Sequence, residues 1–170
     1  MSIESYLWLA GLIAAHPHQK VVGRTRLQKE VKLLQRLGFP TDYSYTIHFY
    51  GPYSESLQAD VGLLDAFGFL EETAQSSIEG NPYYILQATS QAESLAELPI
   101  IKEFEQPIAL LDGAPPAVLE LAATYDAFRE AGSDHREALQ RLRRKKGSKC
   151  ADGNEEKALE LLRALGLEAG

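Results

Sequence analysis

Between two stretches of leucines at helical spacing lies Tyr43–Tyr50, the run Tyr-Ser-Tyr-Thr-Ile-His-Phe-Tyr. Its β-branched and aromatic side chains suit a pleated strand better than a helix. Gly38 and Pro40 fence it on one side and Gly51-Pro52 on the other. Glycine and proline at such places end regular structure, so the chain must pass from helix to strand to helix. The fold class that follows is α+β, mainly α, with a small β-sheet.

Upstream of that run, the spacing of Tyr6, Leu7, Leu9, Ala10 and Ile13 predicts a helix over residues 3–15, ended by His16-Pro17-His18. A second helix is expected to begin near Thr25, which stands three residues before Gln28 in the manner of a capping box. Leu27, Val31, Leu34 and Leu37 give it an apolar face. Downstream, Ser54 is placed to cap a third helix carrying Leu57, Val61, Leu64 and Phe67 on one side, with Gly68 closing it. Strands are then expected over 69–73 and 83–88, joined by a polar loop from Gln75 to Pro82. Helix, helix, strand, helix, β-hairpin is close to a winged-helix arrangement. The expected core is Leu27, Val31, Leu34, Ile47, Leu57, Val61, Leu64 and Phe69.

Leu98, Pro99 and Pro107 punctuate the middle, and Gly113-Ala114-Pro115-Pro116 marks a break. The chain thus divides into a winged-helix-like N-terminal module, residues 1–98, and a C-terminal helical lobe, residues 99–170, packed as one unit. Three helices are expected in the lobe. The first carries Val118, Leu121, Ala122, Tyr125 and Phe128; the second opens on the Asp134/Glu137 capping spacing; the third is lined by Ala158, Leu161, Leu162 and Leu165.

Charge sign is segregated along the chain. Lys20–Arg36 holds six cations against Glu30; Tyr50–Asp134 holds fifteen acids against Lys102 and Arg129; Arg136–Lys149 holds seven cations against Glu137. The formal net charge of −7 conceals this. A hydrophobic content of 45% excludes intrinsic disorder. No apolar run reaches the roughly 20 residues of a membrane span, and the N-terminus lacks the basic region of a signal peptide. A single cysteine, Cys150, excludes a disulfide framework and points to a reducing compartment, the cytoplasm. Neighbouring cations could activate that thiol, but a bystander is the simpler reading.

Two stretches carry a family resemblance. Gly23-Arg24-Thr25-Arg26-Leu27-Gln28-Lys29 with Leu33-Leu34, then Phe49-Tyr50-Gly51-Pro52-Tyr53-Ser54 and Leu64…Phe67-Gly68-Phe69-Leu70, resemble the YwgA-like family of bacterial proteins. More loosely they resemble the Panacea domain, which is SocA-antitoxin-like and phage-associated. The resemblance implies a winged-helix-like fold, and the Panacea comparison implies an antitoxin or adaptor role.

Two candidate sites emerge. In Tyr50-Gly51-Pro52-Tyr53, the glycine and proline are explained as turn punctuation, whereas the tyrosines suit a protein-binding surface. Arg24, Arg26, Lys29 and Lys32 on the second helix, with Arg143, Arg144, Lys145 and Lys146 near the C-terminus, are candidates for binding anions or nucleic acid. The plain alternatives are a solvated helix face and cations at a helix C-terminus. The third helix, where a DNA reader would lie, carries Glu55, Asp60 and Asp65 and no arginine, which disfavours major-groove readout.

Enzyme motifs are missing: there is no phosphate-cradling glycine loop, nucleophile elbow or His-Glu-x-x-His. His16 and His18 do not share a helix face, so no metal is expected, nor any cofactor. The sequence therefore reads as a non-enzymatic regulatory or adaptor module with a protein partner. Nucleic-acid binding through the two basic groups, an undetected enzyme, and self-association as a homodimer stand as alternatives.

Overall fold

The computed structural model describes residues 3–167 and residue 169. Helix α1 (Ile3–Ala14) leads through a short turn into strand β1 (Lys20–Val22) and helix α2 (Arg24–Arg36). A small hairpin, β2 (Thr46–His48) and β3 (Gly51–Tyr53), precedes α3 (Glu55–Ala66) and a longer hairpin, β4 (Leu70–Ser76) and β5 (Pro82–Ala88). The rest is helical: α4 (Ser90–Glu93), α5 (Pro99–Lys102), α6 (Glu105–Asp112), α7 (Pro116–Glu130), α8 (His135–Lys146) and α9 (Asn154–Ala164). The protein is α+β and mainly α.

The larger sheet is antiparallel in the order β1-β5-β4, with Val21 opposite Leu86 and Thr73 opposite Ile85. Strand β1, only three residues long, is too short to leave a periodic signal and was not anticipated. Prolines 99 and 107, read as punctuation, lie in the first turns of α5 and α6, where a missing N–H is no loss.

Helix α2 is the centre of the molecule. All eight residues from Leu27 to Leu34 are buried, the polar Gln28, Lys29, Glu30 and Lys32 included. Leu27, Val31, Leu33 and Leu34 join one apolar cluster with Leu9 and Ile13 of α1, Leu57, Val61 and Leu64 of α3, and Leu121 and Tyr125 of α7. Each large side chain so buried contributes about 1.5–3 kcal/mol. Two members of the expected core differ. Ile47 is 40% exposed, because β2 pairs only with β3 and its sides are not roofed. Phe69 is half-buried in the turn before β4, where the next residue, Leu70, takes the core position.

Local chemistry explains the other departures. Helix α2 starts at Arg24 with Gly23 as its N-cap and no side-chain cap. The expected partner, Gln28, is instead buried and clamps the α3 entry: its amide accepts from Ser54 N at 2.8 Å and donates to Ser54 O at 2.9 Å. Ser54 Oγ then accepts from Leu57 N at 3.2 Å, the anticipated cap of α3. The predicted strand over 43–50 shrinks to Thr46–His48 because the Gln35 amide takes both backbone groups of Tyr43, at 2.8 and 3.0 Å. Gly51-Pro52, expected to break that strand, sits inside β3 opposite His48 and Ile47. A two-stranded ribbon has outer edges where proline is tolerated.

Candidate binding site

Most cations of the first basic segment are spent inside the protein. Lys32, 4% exposed, donates to Asp126 at 3.0 Å and to Glu130 at 2.8 Å, and Arg36 donates to Asp126 at 3.0 Å. Arg24 makes a two-point contact with Glu72 and lies over the Tyr84 ring, 3.5 Å from its centroid. Arg26 donates to the carbonyls of Leu111 at 2.9 Å and Ala114 at 2.5 Å, fastening α2 to the end of α6. The solvated stripe expected on this helix is therefore a set of internal ties. The signal was present in the sequence: Lys32/Arg36 and Asp126/Glu130 are both spaced i, i+4, so two helices carry matching stripes of opposite charge.

Glu30, the acid of this segment, is fully buried. Its Oε1 lies 2.5 Å from His16 Nε2, and Arg26 stands 3.6 Å from Oε2. His16 Nδ1 faces Leu12 O at 2.8 Å. Burial alone would lower the imidazole pKa, but the bond to Glu30 and its charge outweigh that and leave it raised above 6.5. A raised histidine pKa adds stability below the unfolded value, and the gain is lost as pH rises through the folded value. The stability difference between wild type and His16→Gln/Glu30→Gln is accordingly expected to be largest near about pH 6 and to shrink toward about pH 9. Urea unfolding across that range measures it; a flat difference would refute the charged pair.

The second basic segment divides. Arg143 pairs with Glu155 through two bonds of 2.7 and 2.9 Å. Lys146 is buried, 3.4 Å from Glu120 Oε1 and donating to Phe49 O at 3.1 Å. Arg144 and Lys145 are exposed and have no ion pair among the described residues. Arg141 is exposed, donates to Ser133 Oγ at 3.0 Å and covers the Phe128 ring at 4.1 Å.

Lys146 ties this helix to the Tyr-Gly-Pro-Tyr motif. Phe49 and Tyr50 form the two-residue turn of the β2–β3 hairpin and are 80% and 55% exposed, their rings edge-on at 5.0 Å. Gly51 and Pro52 are buried. Gly51 has φ +99°, and a Cβ there would come within 2.6 Å of Thr124 Oγ1 on α7. Only glycine lets the hairpin lie that close, so the motif's glycine fixes the height at which its aromatic tip stands. Tyr53 is half-buried, 5.2 Å from the exposed His48 ring. Of the four motif residues only Tyr50 is exposed, and the neighbouring Phe49 is more so. The β-pattern had hidden both Phe49 and Ile47 as strand interior.

Ile47, Phe128, Arg141, Arg144 and Lys145 line one open depression of about 280 Å3. The hairpin's Ile47 and the exposed cations of α8 thus share one depression, and the tip meets α8 through Lys146 and Phe49 O, although hairpin and helix are about 90 residues apart in sequence. The acids of α3 were expected to face outward, but Asp60 is 4% exposed and accepts from Tyr43 Oη at 2.6 Å. Glu55 and Asp65 remain exposed, and α3 carries no base. At Cys150, half-buried, burial pushes the thiol pKa up rather than activating it. Among the described residues no helix is long and apolar enough to cross a membrane.

These features define a mainly helical α+β protein with internally paired charges. The chain is similar to the uncharacterised protein YwgA of Bacillus subtilis (strain 168), with 39% identity over 56 residues. The matched segment is 33% of this chain and 34% of that protein, so the chain spans about a third of its relative's length. The similarity supports the YwgA-like assignment implied by the motifs. No family model matches the chain, so the looser Panacea resemblance gains no support from one. No solved structure matches either.

Proposed function

We propose that this chain is a non-enzymatic binding module, winged-helix-like in its N-terminal part, that holds an acidic segment of a protein partner against the hairpin tip and α8. The observation that carries this reading is the exposed hairpin tip, Phe49 and Tyr50 at 80% and 55%, held to α8 by the Lys146 bond to Phe49 O, on a hairpin whose Ile47 shares a depression with the exposed Arg141, Arg144 and Lys145. Aromatic rings supply contact area at low entropic cost, and arginine adds planar, multidentate bonding to carboxylates. The sheet order β1-β5-β4, with β4–β5 as a projecting hairpin, supports the winged-helix-like description. An antitoxin-like role is one case of such a module.

Nucleic acid is the weaker reading for two reasons. The whole chain carries −7, which repels a polyanion at long range. The α2 cations that would have provided a second row of phosphate contacts are tied to Glu72, Glu30, Asp126 and Glu130. Enzymatic chemistry is disfavoured by the same commitments: His16 is held by Glu30.

A photo-crosslinking residue in place of Phe49, in cells that natively produce the chain, tests the reading. Protein adducts that resist nuclease and vanish in Arg144→Glu/Lys145→Glu are expected. Nuclease-sensitive adducts, or adducts indifferent to charge reversal, would overturn it.

A further inference from the structure

On the other side of the hairpin a pocket of about 490 Å3 opens between the first turns of α2 and α7. Gly23, Thr25, Arg26 and Lys29 line it from α2, Pro116, Ala117 and Glu120 from α7, and Tyr50, Tyr83 and Lys149 close its sides. Its size suits a small organic molecule.

The charge balance of this pocket is unusual. Lys29 is 3% exposed and, among the described residues, has no carboxylate within ion-pair distance; its ammonium spends one donor on Pro52 O at 2.8 Å. Glu120 is already shared, at 2.6 Å from Lys149 and 3.4 Å from Lys146. With Lys29 and Lys149 in the lining and Lys146 behind it, three lysines surround the Glu120 carboxylate, an excess of two positive charges; the lining's Arg26 is offset by Glu30 at 3.6 Å. Burial, with the charges of Lys146 and Lys149 behind it, pushes Lys29 down to about 8, so it is still mostly cationic at neutral pH. Backbone donors add to the excess. The first intrahelical bond of α2 runs from Leu27 N to Gly23 O and that of α7 from Leu119 N to Pro115 O. The N–H groups ahead of these bonds have no side-chain cap at either helix.

We infer that this pocket binds a small phosphomonoester, its phosphate facing Lys29, Lys149 and the two helix starts and its apolar body lying against Val22, Leu119, Tyr50 and Tyr83. A phosphomonoester carries about −1.5 to −2 at neutral pH, which matches the excess charge where a carboxylate would leave half of it unmet. Helix N-termini favour the same group. Arg144 and Lys145 lie outside this lining, whereas Tyr50 borders both the pocket and the partner-binding tip.

Isothermal titration calorimetry with phenyl phosphate, inorganic phosphate and benzoate tests it on the full chain. Phenyl phosphate is expected to bind more tightly than either of the others. Lys29→Met should fold, since it removes a buried charge that lacks an ion pair, and should weaken binding by about tenfold or more. Lys145→Ala should bind as wild type does. Between about pH 7 and pH 9 the ligand keeps its charge while Lys29 loses its proton, so wild-type affinity should fall. No binding of phenyl phosphate, equal binding of benzoate, or unchanged binding by Lys29→Met would each overturn the assignment.

Discussion

Val61→Asp is expected to abolish cooperative folding. Val61 is 1% exposed on the inner face of α3, within the cluster that includes Leu57 and Leu64. A carboxylate placed there finds no partner and must stay unpaired in an apolar surround or drag the helix out of the core. Losses of this kind exceed about 4 kcal/mol, most of the total stability of many domains. The adjacent Asp60 sharpens the contrast. It too is buried, but Tyr43 Oη donates to it at 2.6 Å, and burial still raises its carboxyl pKa. Circular dichroism and urea unfolding of Val61→Asp supply the check; a cooperative transition near the wild-type midpoint would refute the packing of α3.

Asp126→Ala is the second large expected loss, about 3 kcal/mol in urea unfolding. Asp126 is 2% exposed and accepts from Lys32 and Arg36, joining α2 to α7 across the centre of the molecule. Removing it strands the Lys32 ammonium in the interior, which costs more than the pair itself contributes. Glu130, still 2.8 Å from Lys32, limits the damage. The companion Glu130→Ala should cost less than about 1 kcal/mol, because that side chain is 51% exposed and solvent screens it. Lys32→Met on the Asp126→Ala background should recover much of the loss by removing the stranded charge. Equal losses from Asp126→Ala and Glu130→Ala would contradict the buried tie.

The sequence is most legible where local chemistry and tertiary packing agree. Ser54 caps α3 through Leu57 N, Asp134 and Glu137 close a capping box at the start of α8, and Leu27, Val31 and Leu34 of α2 and Leu57, Val61 and Leu64 of α3 are buried as their spacing requires. The last member of each stripe is not: Leu37 is half-buried and Phe67 is 58% exposed at the helix ends. It is least legible around α2. Amphipathic reasoning assigns polar residues to solvent, yet Gln28, Lys29, Glu30 and Lys32 are covered by partners remote in sequence: Ser54, Pro52, His16 and Asp126. A helix roofed on every side cannot be told from a surface helix by its own period.

The site shows the same division. The Tyr-Gly-Pro-Tyr motif and the basic segment are each visible as composition, but their meeting depends on Gly51 passing close to Thr124 and on Lys146 reaching Phe49 O. Neither contact has a sequence signature. The pocket between α2 and α7 is hidden for a related reason: Lys29, Glu120 and Lys149 come from three elements, and Glu120 lies in the acidic middle of the chain, away from both basic groups.

Selecting a library of short random peptides on the immobilised protein asks most directly whether the aromatic tip and α8 form a partner-binding face. Enriched peptides should pair Asp or Glu with aromatic or aliphatic residues, and should lose their affinity for Phe49→Ala and for Arg144→Glu/Lys145→Glu. Failure to enrich any sequence, or enrichment of peptides that bind the charge-reversed protein equally well, would contradict the account.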